Sequence, residues 1–176
     1  MIFGLPGRFA VESTIQSRSS GHRFGHLRLW IGGLPVGDFN QNLILETPAL
    51  FTRDFLALSS ARNHSTLTGK TKEEVLAIIH WAHYSDGANS AEEQAHLQYR
   101  QFADVYSGCE LCPALSASFD GEQAVLLEEQ GKDRIIWKPF RRRSVQSVQE
   151  VVLHKGECLS VLRSFTDWIG STNGGL

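Results

Sequence analysis

Twice in the middle of this chain a hydroxyl residue stands three places ahead of a glutamate at the head of an apolar helical pattern, in Thr71-Lys72-Glu73-Glu74 and in Ser90-Ala91-Glu92-Glu93. In such a capping box the hydroxyl accepts from the backbone amide of the glutamate, whose carboxylate reaches back to the amide of the capping residue. Two orphaned donors are thereby satisfied at each helix start. Val75, Leu76, Ile79 and Ala82 follow the first box at helical spacing, and Ala95, Tyr99, Phe102 and Tyr106 follow the second. The centre of the chain is therefore helical, and the flanking segments must be arranged around it.

Both flanks carry the period of strands. Residues 8–17 set Phe9, Val11 and Ile15 among polar residues, and residues 26–31 alternate Leu27, Leu29 and Ile31 with Arg28 and Trp30. Gly32-Gly33 supplies a two-residue turn, after which Leu34-Pro35-Val36 can return antiparallel, with Pro35 suited to an edge. Thr47 is placed to cap a further helix, with Pro48 in its first turn and apolar residues from Leu50 to Leu58, ending near Ser60. Beyond Pro113 strands are expected over residues 114–119, 123–128, 134–139 and 145–153. Turns at Asp120-Gly121 and at Gln130-Gly131-Lys132 separate them, the first being a hairpin signal. Residues 156–169 carry Leu159, Leu162, Phe165, Trp168 and Ile169 at helical spacing. The expectation is an α+β fold: a mostly antiparallel sheet from N-terminal and C-terminal strands, a helical central segment and a C-terminal helix. One domain is expected over residues 1–170, and a glycine-rich tail over 171–176 that frays.

With 176 residues the chain can bury about two-thirds of its unfolded surface without a disulfide or metal staple. Three cysteines, an odd number, argue against a disulfide framework and for a reducing compartment, so the protein is expected in the cytoplasm. The opening residues do not read as a signal peptide, and no apolar run approaches the roughly 18 residues of a membrane span.

Several segments suggest chemistry and fall short of it. Gly69-Lys70-Thr71 resembles the end of a phosphate-binding loop, yet His64 stands where the earlier glycine belongs, and the capping box already accounts for Thr71. Cys109-Glu110-Leu111-Cys112 has the spacing of half a zinc site, and His80 and His83 lie three apart on one helical face, so a Cys2His2 site is conceivable. There is one such cysteine pair, and the histidines lie far upstream in another element. No nucleophile elbow and no His-Glu-x-x-His motif occurs. Arg141-Arg142-Arg143 reads as a solvated basic turn, and nucleic acid is not favoured as a partner. No catalytic residue, cofactor or metal is assigned. The reading is of a protein-binding domain, with a small Cys/His metal-dependent or redox enzyme as the weaker alternative.

Charge is unevenly distributed. Residues 71–133 contain twelve acids and three bases, whereas residues 134–163 contain seven bases and two acids. An acidic face of this kind attracts a basic partner and steers its approach. Glu73, Glu74, Asp86, Glu92, Glu93 and Asp104, on the two boxed helices and their connection, are the candidate partner-binding residues.

The opening, Met1-Ile2-Phe3-Gly4-Leu5-Pro6-Gly7-Arg8-Phe9-Ala10, resembles that of the bacterial immunity protein 42 family. The order of elements is similar too: an early strand ending near Trp30-Ile31-Gly32-Gly33, a helical centre, a hairpin around Ser118-Phe119-Asp120-Gly121, and a closing strand and helix over 151–169. The resemblance implies an antitoxin-like protein, without catalytic residues or cofactors, that binds a cognate polymorphic toxin domain and blocks it by stoichiometric occlusion. A generic adaptor or regulatory binding domain would carry the same residue patterns. A pull-down or the genomic neighbourhood distinguishes the two.

Overall fold

The computed structural model describes residues 1–58, 62–84, 97–112, 117–138 and 147–171. Strands β1 (Ile2–Leu5), β2 (Phe9–Ser19), β3 (His22–Ile31) and β4 (Leu34–Val36) pair antiparallel in sequence order, and β5 (Leu43–Ile44) adds to the start of β3. The pleat sorts β2 and β3 cleanly. Phe9 opposite Ile31, Val11 opposite Leu29 and Ser13 opposite Leu27 face the core, while Glu12 opposite Arg28 and Thr14 opposite His26 lie on the other side. Gly32 and Gly33, at φ +57° and +85°, make the two-residue turn into β4, and Pro35 sits on that edge strand as expected.

Helix α1 (Glu46–Ala57) follows, then α2 (Lys72–Tyr84), the short α3 (Ala103–Ser107) after a 3-10 turn at Leu97–Phe102, and the closing α4 (Glu157–Ser171). A second antiparallel sheet consists of β6 (Gln123–Glu129), β7 (Lys132–Lys138) and β8 (Gln149–His154). The fold is α+β with antiparallel sheets. No helix among the described residues is long and apolar enough to cross a membrane.

The second sheet lies between two apolar clusters, which explains why its strands read as continuous apolar runs and not as alternation. Ala124, Leu126, Ile135 and Trp137 pack with the inner face of the first sheet and with Phe55, Leu162 and Phe165 of α1 and α4. Val125, Leu127 and Ile136 pack on the opposite side against Val75, Ile79 and Tyr106. Polar contacts tie these layers together. Arg8 makes a bidentate pair with Glu157, both distances 2.7 Å, joining the start of β2 to α4. Asp133, fully buried on β7, accepts from the backbone amides of Gly156 and Cys158 at 3.0 and 3.2 Å and so caps α4 from another element. Arg62, also fully buried, donates to Glu128 at 2.9 Å and to the Phe55 carbonyl at 2.8 Å.

The first capping box forms as expected: the Thr71 amide and hydroxyl both donate to Glu74 at 2.8 Å, and the Glu74 amide donates to the Thr71 hydroxyl at 3.3 Å. Three other expectations differ from the structure. Thr47 does not cap α1, because the N-cap position is Leu45, without a side-chain bond, and Thr47 lies inside the first turn. The helix start is set instead by tertiary contact, with Glu46 held by the Arg23 guanidinium at 2.7 Å. Residues Ala117–Phe119 form a 3-10 turn and not the end of a strand. The Cys109–Leu111 segment takes that place beside β6, through Leu111 N to Ala124 O and Leu126 N to Cys109 O, both 2.8 Å. The segment turns so that Phe119 plugs the core beside Gly37, while Asp38 N bonds Ser118 O at 2.8 Å. Asp120-Gly121 is thus a turn leading into β6 and does not close a hairpin. The third difference is the second central helix, which between Leu97 and Ser107 is a 3-10 turn followed by α3. The Ser90 box, strand residues 114–116, the ends of the expected strands at 139 and 145–146, Arg141 to Arg143, and the tail beyond Ser171 lie outside the described residues.

Candidate protein-binding site

Helix α2 lies across the second sheet, and its burial pattern sets the shape of the surface beside it. Val75, Ile78, Ile79 and Ala82 are buried beneath it, whereas Glu73 and His80 are exposed and Trp81 is half-buried. Opposite this flank run the turn ahead of β6, with Phe119, Asp120 and Glu122, and the end of β7 at Lys138. Between them is a groove of about 840 Å³. Leu76, Trp81, Phe119 and Val148 give it apolar walls; among the described residues Glu73, Glu110, Asp120 and Glu122 bring four carboxylates, against the single charged amine of Lys138.

Glu110 differs from the other three. It is 8 % exposed, because its neighbours Cys109 and Leu111 are bonded to β6 and carry it into the sheet edge. Among the described residues its one ion-pair contact is distant, with His83 Nε2 3.9 Å from Glu110 Oε1. Burial pushes the Glu110 carboxyl up to about 7. Burial also lowers the pKa of His83, an effect that the charge of Asp104 partly opposes. A neutral imidazole beside the carboxyl gives little compensation for its charge.

Of the six candidate residues, Glu73 lies in the groove. Glu74 is turned to the helix start, where the Thr71 amide and hydroxyl hold its pKa below the usual carboxylate range. Asp104 is exposed on α3, near enough to His83 to affect it. Asp86, Glu92 and Glu93 lie outside the described residues. The structure therefore adds Glu110, Asp120, Glu122 and Trp81 to the one candidate it places in the groove. A signal for Glu110 was present in the sequence: an acid between two cysteines and a leucine, residue types that are usually interior.

The conceivable Cys2His2 site does not assemble. Cys109 and Cys112 are fully buried and His80 is exposed; among the described residues no group of three His, Cys, Asp or Glu side chains is placed to hold a metal ion. Burial raises Cys109 to about 12 and Cys112 and Cys158 also well above the usual thiol value, which disfavours the thiolate needed for zinc or redox chemistry. A half-buried cluster lies on the outer face of β2 and β3. There Arg28 pairs with Glu12 at 2.7 Å and stacks on Trp30 and Phe39, and Trp30 Nε1 donates to Glu12 at 2.8 Å. Its charges are matched within the chain; the described residues that line the groove carry mainly carboxylates.

The likeness to known proteins agrees with this architecture. A crystal structure of CdiI from Burkholderia dolosa AUO158 superposes with a TM-score of 0.65 at 20% identity, covering 97% of this chain and 99% of that one, a likeness of fold. No curated protein sequence matches the chain. The family model described as immunity protein 42 matches residues 1–168; the chain belongs to the immunity protein 42 family.

Proposed function

We propose that this immunity protein neutralises a cognate toxin domain by stoichiometric occlusion, without chemistry of its own, and that the groove between α2 and the turn ahead of β6 is the surface the toxin meets. Family membership supports the toxin as partner. The observation that carries the location is the four carboxylates over apolar walls, since aromatic and aliphatic walls exclude water while a predominance of negative charge selects and steers a basic partner. The toxin surface that fits is basic, such as a cleft that ordinarily holds an anionic substrate. Three buried free cysteines are in keeping with action in the cytoplasm.

Glu73, Asp104 and, by their place in the same acidic stretch, Asp86, Glu92 and Glu93 supply long-range steering in this reading; Glu74 serves the helix cap first. The test is stopped-flow association with the cognate toxin domain over a range of salt. Glu73→Lys combined with Asp120→Lys should slow association by about tenfold or more at low salt and flatten its salt dependence. Unchanged association and unchanged salt dependence, in a variant that remains folded, would place the interface elsewhere.

A further inference from the structure

Resting on that reading, we propose that the groove is built to receive one arginine side chain of the toxin, with its guanidinium seated on Glu110 and its stem between the apolar walls. The Glu110 carboxyl is more than nine-tenths buried, lines the groove, and receives no hydrogen bond among the described residues. A buried acid without donors is costly to hold, and within the chain neither His83 at 3.9 Å nor Lys138, which forms no ion pair with it, makes up that cost. A cation entering from the groove would.

Arginine fits better than lysine on two grounds. Its planar fork can bond both oxygens of a carboxylate, and its flat face can stack on an indole such as that of Trp81, which lines the same groove. Glu73, Asp120 and Glu122 then surround the entering cation. A hydrogen-bonded and desolvated charge pair at the centre of an interface, ringed by contacts that exclude water, is the arrangement in which a single side chain dominates affinity.

The seat has a proton signature. The titratable groups around it are Glu73, His80 and His83 on α2, Asp104 on α3, Asp120 and Glu122 ahead of β6, and Lys138 on β7. Glu110, held near neutrality in the free protein, loses its proton when a guanidinium arrives. Binding at pH 7 then releases about half a proton per complex.

The probes are the blocked tripeptide acetyl-Gly-Arg-Gly-amide and its citrulline and lysine counterparts, titrated into the full chain while the Trp81 indole and Glu110 carboxyl resonances are followed. The arginine peptide should shift both signals saturably, the citrulline peptide should bind at least fivefold more weakly, and Glu110→Gln should abolish the difference. Equal binding of arginine and citrulline peptides, or of arginine and lysine peptides, overturns the proposal. Calorimetry with the cognate toxin domain in two buffers separates this inference from the reading beneath it. Glu110→Gln should weaken the complex at least tenfold and remove the proton release. If Glu110→Gln is without effect while the Glu73 and Asp120 reversals weaken the complex, the arginine seat is wrong and the groove stands; if all are without effect, both fall.

Discussion

Glu110→Gln should make the protein relatively more stable as pH rises. The unfolded carboxyl ionises at about 4.3, whereas burial carries it to about 7 in the native state. Between these values the native protein binds more protons than the unfolded chain, so this group contributes a stability that is full below about pH 4 and lost as pH rises through 7. At about 1.4 kcal/mol per pH unit the loss is roughly 3 kcal/mol by pH 8.5, a large share of the 5 to 15 kcal/mol typical of a domain. The glutamine amide remains buried and has a cost of its own, but that cost does not depend on pH. His83, whose lowered pKa makes stability fall as pH falls, acts with the opposite slope in both proteins and largely cancels in their difference. The assay is urea unfolding of wild type and variant at pH 4, 5.5, 7 and 8.5. The difference in unfolding free energy should swing by about 3 kcal/mol in favour of the variant across the range. Parallel profiles, within about 0.5 kcal/mol, would show that Glu110 titrates as an exposed carboxyl does and would refute the reasoning about the buried acid.

Thr71→Ala removes both hydroxyl bonds of the cap on α2 and should cost about 1 kcal/mol, read as a lowered Tm without loss of helix elsewhere. Gly37→Ala should cost more, about 2 kcal/mol, because an added Cβ would lie 2.7 Å from Phe119 Cε1 and the backbone there has φ +94°; thermal unfolding followed by circular dichroism checks it. Cys109, Cys112 and Cys158 are all buried free thiols, so a thiol reagent should modify none of them in the native protein and all three after denaturation, and chelator should leave the Tm unchanged.

Strand alternation, the two-residue turns and the first capping box are local devices, and they were legible in the residues that make them. The differences arise where a distant partner decides. Thr47 has the chemistry of a cap, but Arg23 on β3 reaches Glu46 and starts α1 earlier. Residues 117–119 have apolar content suited to a strand, yet the edge of β6 is taken by Cys109–Leu111, and Phe119 fills the space beside Gly37. The candidate site follows the same division. Charge counting located an acidic stretch and, within it, Glu73. It could not tell that Glu110, one acid among twelve, would be carried inward by the cysteine and leucine that flank it, because that depends on pairing with a strand more than a dozen residues later in the chain.

The most direct test of the account is amide hydrogen exchange of the chain, alone and saturated with its cognate toxin domain. The groove reading predicts a one-to-one complex in which protection increases along α2 and the turn ahead of β6, at residues 72–84 and 119–123, and changes little on the outer face of β2 and β3. Protection confined to that outer face, around Arg28, Trp30 and Phe39, with the groove exchanging as in the free protein, would contradict it.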